Sequence, residues 1–405
     1  MKHMRRHSRS EKKRILMIAP QPWFQPRGTP FSVLHRIKAL SLLGHTIDLC
    51  TYPIGQDIDI PNLTIHRTKK PVFVKSIKIG PSKTKVLLDI PLIMLTWKLL
   101  RRNRYDFIHS HEEGAFWGAW LAAKYHVPHL YDMHSSLPQQ LDNFKFTRLS
   151  FPVRLFERLE HYVIRRSSGI ITICPELQQY VEKHFPEQKS LLVENVADNA
   201  IVFPPNPANK KSLRQNYGLP DKPLILYYGT FEPYQGLDLL IRSAPPVIRQ
   251  FDGNVHFVLI GGNEQQIADY KAMTAEQDVA DFFTFTGFLQ PEWIPPFVDM
   301  ASVLVSPRLK GTNSPLKIYS YLRSGVPVVA TRHITHTQLL SDNEAFLAEL
   351  NPDAFAGSLI DALTDQQRRE TIVRQAKKLA EKKYGYQNYL DKTAQVVHQT
   401  VEQEL

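Results

Sequence analysis

The sequence predicts an α/β protein built from two successive doubly wound parallel sheets. At 405 residues the chain is longer than one hydrophobic core usually serves, so two domains are expected. Short β-rich apolar runs alternate with helical stretches along it, the rhythm of parallel strands joined by crossover helices. That rhythm breaks once, at "FPPNPANKKSLRQNYGLPDKP" (203–223), which is rich in Pro, Asn and Lys and lacks apolar periodicity. The break reads as a linker plus the opening of the second domain.

Taken in order, "ILMIAP" (15–20), "TIDLCTY" (46–52), "LTIHR" (63–67), "FIHSH" (107–111), "HLYDMH" (129–134), "GIITIC" (169–174) and "LLVEN" (191–195) read as the strands of the first sheet. Helical stretches separate most of them, for example "SVLHRIKALSLLG", which Gly44 stops. The second sheet takes "LILYYG" (224–229), "VHFVLIGG" (255–262), "FFTFTG" (282–287), "SVLVSP" (302–307) and "PVVAT" (327–331). The last stretch, "GYQNYLDKTAQVVHQTVEQEL", is helical and is expected to pack back on the first domain. In folds of this kind a ligand is expected at the carboxyl ends of the strands.

Hydrophobic content of 43% and charged content of 22% are ordinary for a soluble globular protein. Cys50 and Cys174 each stand in an apolar run, so neither a disulfide framework nor a zinc site is expected, and a reducing cytosol fits. The net charge of +11 is local. The first fourteen residues set seven Lys and Arg against Glu11, and residues 69–104 set ten against Asp89, so the rest of the chain is slightly acidic. The N-terminus lacks the apolar stretch of a secretory signal. The most apolar segment, "VLLDIPLIMLTWKLL" (86–100), is shorter than the roughly 20 residues a bilayer requires. Its run into "KLLRRNR" suits a helix lying on an anionic membrane surface, and equally a core helix with a solvated basic end. No recognition module for nucleic acid accompanies the charge, so nucleic acid is not an expected partner.

The chemistry concentrates in loops. No Walker loop occurs, and no Gly-x-Gly-x-x-Gly follows the first strand, which argues against a dehydrogenase. Instead that strand runs into "PQPWFQPRGTPFSVLHRI", where Gly28 would let the backbone approach a ligand and Ser32 could cap the next helix. In "LKGTNSPLKIYSYL" (309–322), Ser314 suits an N-cap and Pro315 the first helical position. Backbone N–H groups from Asn313 to Lys317 would then face a phosphate at the positive helix end. Gly311 allows close approach, Arg308, Lys310 and Lys317 supply charge, and Ser320 lies one turn below Leu316, where the ribose of a bound nucleotide would fall. From local chemistry alone, an anion site and an ordinary capped helix both stay open. His109 and His111 in "HSHEE" share one side of a strand, with Glu112 and Glu113 next; no further ligand cluster is evident and no metal site is expected. Asp57 and Asp59 read as a solvated loop, and Gly261–Gly262 as a sharp turn at a strand end.

Four segments together carry a resemblance: "PRGTPFSVLHRIKALSLLGHTIDLCTY", "GTFEPYQGLDLLI", "FTGFLQPEWIPPFVDMASVLVSP" and "PLKIYSYLRSGVPVVAT". In order and spacing they resemble a family 4 glycosyltransferase of the GT-B fold, over nearly the whole chain after residue 14. The resemblance implies a basic tail at 1–14 and an acceptor-binding Rossmann-like domain at 15–205, with the helix of 385–405 packed back on it. It implies a nucleotide-sugar-binding domain at 206–384, with the two domains facing across a cleft. It also implies sugar transfer from a nucleoside-diphosphate donor to a lipid-linked or polysaccharide acceptor, with retention of configuration. No metal or other cofactor is implied, the nucleotide-sugar being a substrate, and the location expected is the cytoplasm, peripheral on the inner face of the membrane.

Residue by residue, Gly28 matches the family's N-terminal glycine loop beside the donor diphosphate. His134 in "YDMHSS" matches a histidine that contacts the transferring sugar or the acceptor. Gly229 and Thr230 match the donor-domain loop, and Phe288 the place where backbone groups read the nucleobase. The stretch Lys310, Gly311, Thr312, Asn313, Ser314, Leu316 and Lys317 matches the loop and helix tip that hold the phosphates. Lys317 and His134 are therefore the catalytic candidates. Departures accompany the match. The family's two glutamates fall on Thr312 and Ser320, its usual Arg and Lys on Thr230 and Gln235, and Val196 stands where a glycine is common. A carboxylate bonded to ribose is worth about 1.5–3 kcal/mol and a neutral serine about 0.5–1.5, so donor binding could weaken on the order of tenfold. Two positive and two negative groups change together, which keeps the charge balance and favours altered wiring over decay. A non-catalytic sugar-nucleotide or glycan-binding scaffold and a same-fold nucleotide-sugar epimerase are the alternatives.

Overall fold

The computed structural model describes residues 11–26, 28–71, 74, 77, 82–136, 150–197, 204–206 and 210–402. Most of the basic tail, together with Lys75 and Lys78 of the second basic stretch, lies outside the described residues. The chain divides into two compact units: one runs up to Asn195 and resumes at Gln387, and the other is Val196–Tyr386. The sequence reading set the first boundary ten residues later, at 205.

Among its described residues, the first unit carries a seven-stranded parallel sheet. Its strands are β1 (Arg14–Ala19), β2 (Thr46–Thr51), β3 (Leu63–Arg67), β4 (Phe107–His111), β5 (His129–Met133), β6 (Gly169–Thr172) and β7 (Ser190–Leu192). Their spatial order is β3-β2-β1-β4-β5-β6-β7. β4, β5 and β6 are buried along their whole length, as strands covered by helices on both faces must be, whereas β3 at the edge is half-exposed. The described helices are α1 (Thr29–Leu42), α2 (Lys83–Arg102), α3 (Gly114–Tyr125), α4 (Ser150–Arg166) and α5 (Pro175–His184). α1 buries Val33, Leu34, Ile37 and Leu40, one helical face, and is closed by Gly44 at φ 89°. α2 buries Leu88, Leu92 and Leu100 at spacings of four and eight. α3 sits tightly on the sheet: a Cβ at Gly118 would come within 3.0 Å of Ser110 Cβ and 3.2 Å of His129 Nε2.

The second unit carries a six-stranded parallel sheet. Its strands are β8 (Leu224–Tyr228), β9 (His256–Ile260), β10 (Phe283–Gly287), β11 (Val303–Ser306), β12 (Val328–Thr331) and β13 (Phe346–Ala348), in the order β10-β9-β8-β11-β12-β13. Around it lie α6 (Lys210–Asn216), α7 (Leu237–Gln250), α8 (Glu264–Glu276), α9 (Ile294–Val298), α10 (Leu316–Ser324), α11 (Ile334–Thr337), α12 (Pro352–Thr364) and α13 (Gln366–Lys383). α14 (Tyr386–Val401) belongs to the first unit from Gln387 onward. There Arg36 donates to Thr393 at 3.0 Å, Lys392 pairs with Glu194 at 2.8 Å, and the Arg36 guanidinium lies over the Tyr389 ring.

Three local expectations need correction. The last strand of the first sheet is only Ser190–Leu192, and past it the Val193 N–H makes one more bond to the Thr172 carbonyl at 2.9 Å. The stretch read as a linker plus the opening of the second domain contains α6, a helix of two turns whose one buried residue is Leu213, too little apolar surface to show as periodicity. β13 has three residues and was not expected at all.

In each sheet the first strand is central, with the strand order reversing beside it: β1 next to β4, and β8 next to β11. The loops after these strands are therefore the topological switch points at which such folds hold ligands. Gly28 and Glu112 stand there in the first unit, and the loops 229–236 and 307–315 in the second.

Candidate functional site

In the second unit three strand ends form a rim of backbone. Gly229 (φ 147°) donates to the Ile260 carbonyl at 3.0 Å, and Gly261 (φ 128°) donates to that of Gly287 at 2.9 Å. A Cβ on Gly261 would stand 1.9 Å from the Gly229 oxygen, so only glycine fits. Phe288, immediately after β10, is exposed.

The loop from β11 leads into α10. Pro315 takes ψ 130°, outside the helical range, so it is the N-cap and the helix starts at Leu316. Ser314 is not the cap expected from the sequence; its buried hydroxyl has no hydrogen-bond partner. The first turn of α10 receives no side-chain cap, which leaves its positive end to other acceptors. Arg308 braces the loop: its Nε donates to the Lys310 carbonyl at 2.9 Å and its guanidinium lies over the Tyr234 ring. Gly311 (φ 104°) passes this guanidinium so closely that a Cβ would come within 2.6 Å of it. Thr312 offers its carbonyl to Gln338 Nε2 at 2.8 Å, Lys310 is exposed, and Asn313 and Leu316 are half-buried.

Lys317 is the centre of this arrangement. It is only 8% exposed, its Nζ lies 3.6 Å from the centroid of the Tyr227 ring, and that atom has no hydrogen-bond partner. The same Nζ is 3.0 Å from where a Cβ on Gly229 would stand, which places the amine directly at the loop after β8. Burial, reinforced by the charge of Arg308, pushes its pKa well below the ordinary 10.5. Tyr227 OH donates to the Thr230 carbonyl at 2.7 Å, and Gln235 Nε2 approaches Thr230 Oγ1 at 3.4 Å. One turn into α10, Ser320 hydrogen-bonds Tyr228, whose phenol burial raises to about 12. An anion placed at this tip would meet uncapped amides and a desolvated amine, where charge–charge attraction is strongest.

In the first unit, strand register assembles a second polar group. His111 on β4 stands opposite Asp132 on β5, and alternation puts His109, His111, Asp132 and His134 on one face. Arg36 Nε from α1 donates to Asp132 Oδ2 at 3.0 Å. His109 Nε2 lies 3.4 Å from that oxygen, His134 Nε2 lies 3.4 Å from Oδ1, and His111 Nδ1 lies 2.9 Å from His134 Nε2. Burial raises the Asp132 pKa, but Arg36, His134 and His109 outweigh it and hold the carboxyl well below its usual range. Burial lowers the pKa of both His109 and His111, which favours their neutral forms.

His109, His111 and Asp132 bring ligand-type atoms within 4.8 Å of one another. Asp132 is already neutralised by a buried guanidinium, and a cation there would face Arg36 at contact range, so the cluster fits an ion-paired strut better than a metal centre. His134 extends this strut to the end of β5 and is 5% exposed. Gly28 is exposed, with φ 48° and ψ −132°, and stands as the N-cap of α1 with no side-chain cap bond. Ser32 does not cap that helix; its hydroxyl donates to Asn195 Oδ1 at 2.9 Å instead. Beside them Lys85 pairs with Glu113 at 3.0 Å, Thr29 donates to Glu112 at 2.9 Å, and Tyr52 donates to Asp89 at 2.6 Å.

The second unit thus gathers Gly229, Thr230, Lys310, Gly311, Thr312, Asn313, Ser314, Leu316, Lys317 and Ser320 on two adjacent switch-point loops and one helix tip, with Phe288 at the end of β10, two strands from β8. Gly28 and His134 lie on the loops after β1 and β5 of the first unit. Sequence reasoning missed Tyr227, Arg36 and Asp132. Alternation along "HLYDMH" places Asp132 with His134 and could have found one of them; nothing in the sequence pairs Arg36 or Tyr227 with its partner.

Two family models match the chain: one described as Glycosyltransferase Family 4 over residues 26–200, and one described as Glycosyl transferases group 1 over residues 222–365. An alpha-D-kanosaminyltransferase of Streptomyces kanamyceticus is 24% identical over 217 residues, 52% of this chain and 55% of that protein, so the match spans about half of that relative's length. Among solved structures, sucrose-phosphate synthase from Thermosynechococcus elongatus superposes with a TM-score of 0.76 at 16% identity, covering 96% of this chain and 99% of that one. Anabaena HepE in complex with UDP-glucose gives 0.71 at 17% identity, covering 95% and 99%. At these identities the structural likeness establishes the two-domain fold, which is GT-B.

Proposed function

The chain belongs to the family 4 glycosyltransferases, and we propose that it transfers a hexosyl group from a nucleoside-diphosphate sugar to a lipid-linked or polysaccharide acceptor with retention of configuration. The observation that carries this reading is Lys317: a buried, unpartnered amine over Tyr227, beside the uncapped N-terminus of α10 and the glycine rim of β8 and β9. Burying such a group without a partner costs free energy, and a bound diphosphate would relieve that cost. The UDP-glucose held by the Anabaena structure supports a donor of this class.

In this reading the diphosphate sits on the α10 amides with Lys317 and Lys310, the ribose near Ser320, and the base against the backbone at Phe288. Gly28 and His134 serve the acceptor and sugar from the first unit. The bond from the anomeric carbon to the diphosphate oxygen breaks as the acceptor oxygen bonds to that carbon from the same face. The acceptor proton passes to the departing phosphate oxygen, so no protein base is needed. The growing negative charge on the leaving group is what Lys317 and the helix end stabilise. The reaction requires no metal or other cofactor in this scheme, and it takes place in the cytoplasm with the protein peripheral to the inner face of the membrane. A non-catalytic nucleotide-sugar scaffold is the second reading, favoured by the neutral Thr312 and Ser320.

Titration calorimetry with UDP, GDP, ADP and dTDP and their sugar conjugates, with chelator present, tests the donor site. Saturable binding of one nucleotide that is weakened in Lys317→Met is the expected result. Failure of every nucleotide in folded protein overturns the donor reading, while binding without sugar transfer to any acceptor favours the scaffold.

A further inference from the structure

We infer that the outward face of α2, continued by Trp120 of α3, is the surface by which this protein docks on anionic lipid. The inference deepens the peripheral location proposed above and rests on that reading. α2 is apolar on both sides. Its inner side carries Leu88, Leu92 and Leu100 into the core. Its outer side presents Val86, Leu87, Ile90, Met94 and Trp97, which with Trp120 are between 40% and 63% exposed. Spacings of three and four residues put the α2 members in one stripe along the helix. Trp97 Nε1 donates to Tyr125 OH at 2.7 Å, which ties the stripe to the end of α3, the helix that carries Trp120. A contiguous exposed apolar patch of this kind is uncommon on a protein with no partner for it.

Charge decides what the partner is. The sole acidic residue of α2, Asp89, is turned inward to Tyr52, so it does not oppose an anionic surface. Beyond Trp97 stand exposed Lys98, Arg101 and Arg102, and Lys124 flanks Trp120. None of these four has a carboxylate partner among the described residues; Arg101 and Lys124 instead lie over the rings of Trp97 and Trp120, 5.1 and 5.0 Å from the centroids. Tryptophan with an adjoining cation is suited to the headgroup level, with the ring in the acyl boundary and the charge on phosphate. A second copy of the chain is the other occupant of an apolar face. A two-fold pairing through this face would bring two copies of its cationic rim into one interface, which is unfavourable. No described helix is long and apolar enough to cross a membrane, so the contact is with the surface.

Flotation of the full chain with vesicles of phosphatidylcholine alone, and of phosphatidylcholine mixed with phosphatidylglycerol, tests this. Wild type is expected to float with the mixed vesicles and to bind them at least about tenfold less in 0.5 M than in 0.05 M salt. The variant Leu87→Ser/Ile90→Ser/Met94→Ser should lose flotation, and Arg101→Glu/Arg102→Glu should weaken binding to the anionic vesicles by at least about tenfold. All these positions are exposed, so the variants should fold, and nucleotide titration checks that the donor site is unaffected. Wild-type flotation that both variants retain assigns membrane binding to another part of the chain and overturns the inference. So does absence of flotation, with or without a dimer in sedimentation velocity. If flotation behaves as expected and no nucleotide binds, it is the donor reading that fails.

Discussion

Replacing Lys317 by methionine separates a ligand-binding amine from a structural one, because the two roles predict opposite signs for stability. Methionine keeps most of the stem volume over Tyr227 and removes only the charge and its hydrogen-bond donors. If the amine waits for a diphosphate, the variant loses charge-assisted bonds worth about 1.5–3 kcal/mol, and the nucleotide dissociation constant rises about 10- to 150-fold. The unliganded protein should not suffer. It escapes about 1–3 kcal/mol for an unpartnered buried polar group and forfeits about 0.5–2 kcal/mol of cation–π attraction to Tyr227, so its unfolding free energy stays equal or rises slightly.

The pH dependence gives an independent sign. The folded-state pKa of Lys317 is lowered from 10.5, so between the two values the unfolded chain binds more protons and wild-type stability climbs with pH. The methionine variant lacks that contribution. A diphosphate restores the proton to the amine, so donor binding in that window takes up protons. Calorimetry in buffers of different ionisation enthalpy reads the uptake, and urea melts against pH read the stability. Nucleotide affinity within about twofold of wild type in a folded variant would refute the reasoning. A fall in stability of about 3 kcal/mol or more would instead make Lys317 a structural anchor.

Other outcomes follow from the same geometry. Ser320→Glu places a carboxylate where the ribose is proposed to lie and should tighten nucleoside diphosphate binding on the order of tenfold; unchanged or weaker calorimetric affinity removes the ribose from that position. Gly261→Ala pushes a methyl group to 1.9 Å from the Gly229 oxygen in left-handed backbone, and should cost about 1–3 kcal/mol in urea melts together with nucleotide affinity. Asp132→Asn removes the buried carboxylate that pairs with Arg36 and should destabilise the first unit by about 3–5 kcal/mol. Because the Asp132 pKa is lowered, its wild-type contribution is present above the ordinary 3.8 and is lost as pH falls through the lowered value, so acid denaturation should flatten in that variant.

The parallel strands were legible because burial on both faces leaves uninterrupted apolar runs, as in "ILMIAP" and "SVLVSP". Elements held by little local apolar surface were not: β13 has three residues, and the one buried residue of α6 is Leu213. The loop before α10 stood out in the sequence through its Gly, Ser, Pro and Lys, although the cap falls one residue later than expected because Pro315 stays outside the helical range. What the sequence could not carry was pairing across the fold. Arg36 meets Asp132 across 96 positions, and Lys317 meets a tyrosine 90 positions before it. Such contacts depend on which strands become neighbours, and short-range periodicity holds no record of that.

The same contacts bear on whether the substituted donor loop is rewired or decayed. Four of the positions that depart from the family pattern meet neutral groups. Thr230 and Gln235 approach one another, the Thr312 carbonyl accepts from Gln338, and Ser320 bonds Tyr228. The buried polar atoms left without partners in these loops are Lys317 Nζ and Ser314 Oγ and, at one substituted position, Gln235 Oε1. Loss of selection would strand the partners of the lost charges, with no reason to keep a desolvated amine beside an uncapped helix end. Apart from Gln235 Oε1, the open groups are instead collected at the helix tip, at Lys317 Nζ and Ser314 Oγ. That distribution supports a working anion site whose positive charge comes from α10 rather than from the loop after β8. The double variant Thr230→Arg/Lys317→Met discriminates: recovery of the affinity lost in Lys317→Met shows that the two positions serve one phosphate. Failure to recover it in a folded protein confines the requirement to the geometry of Lys317 itself.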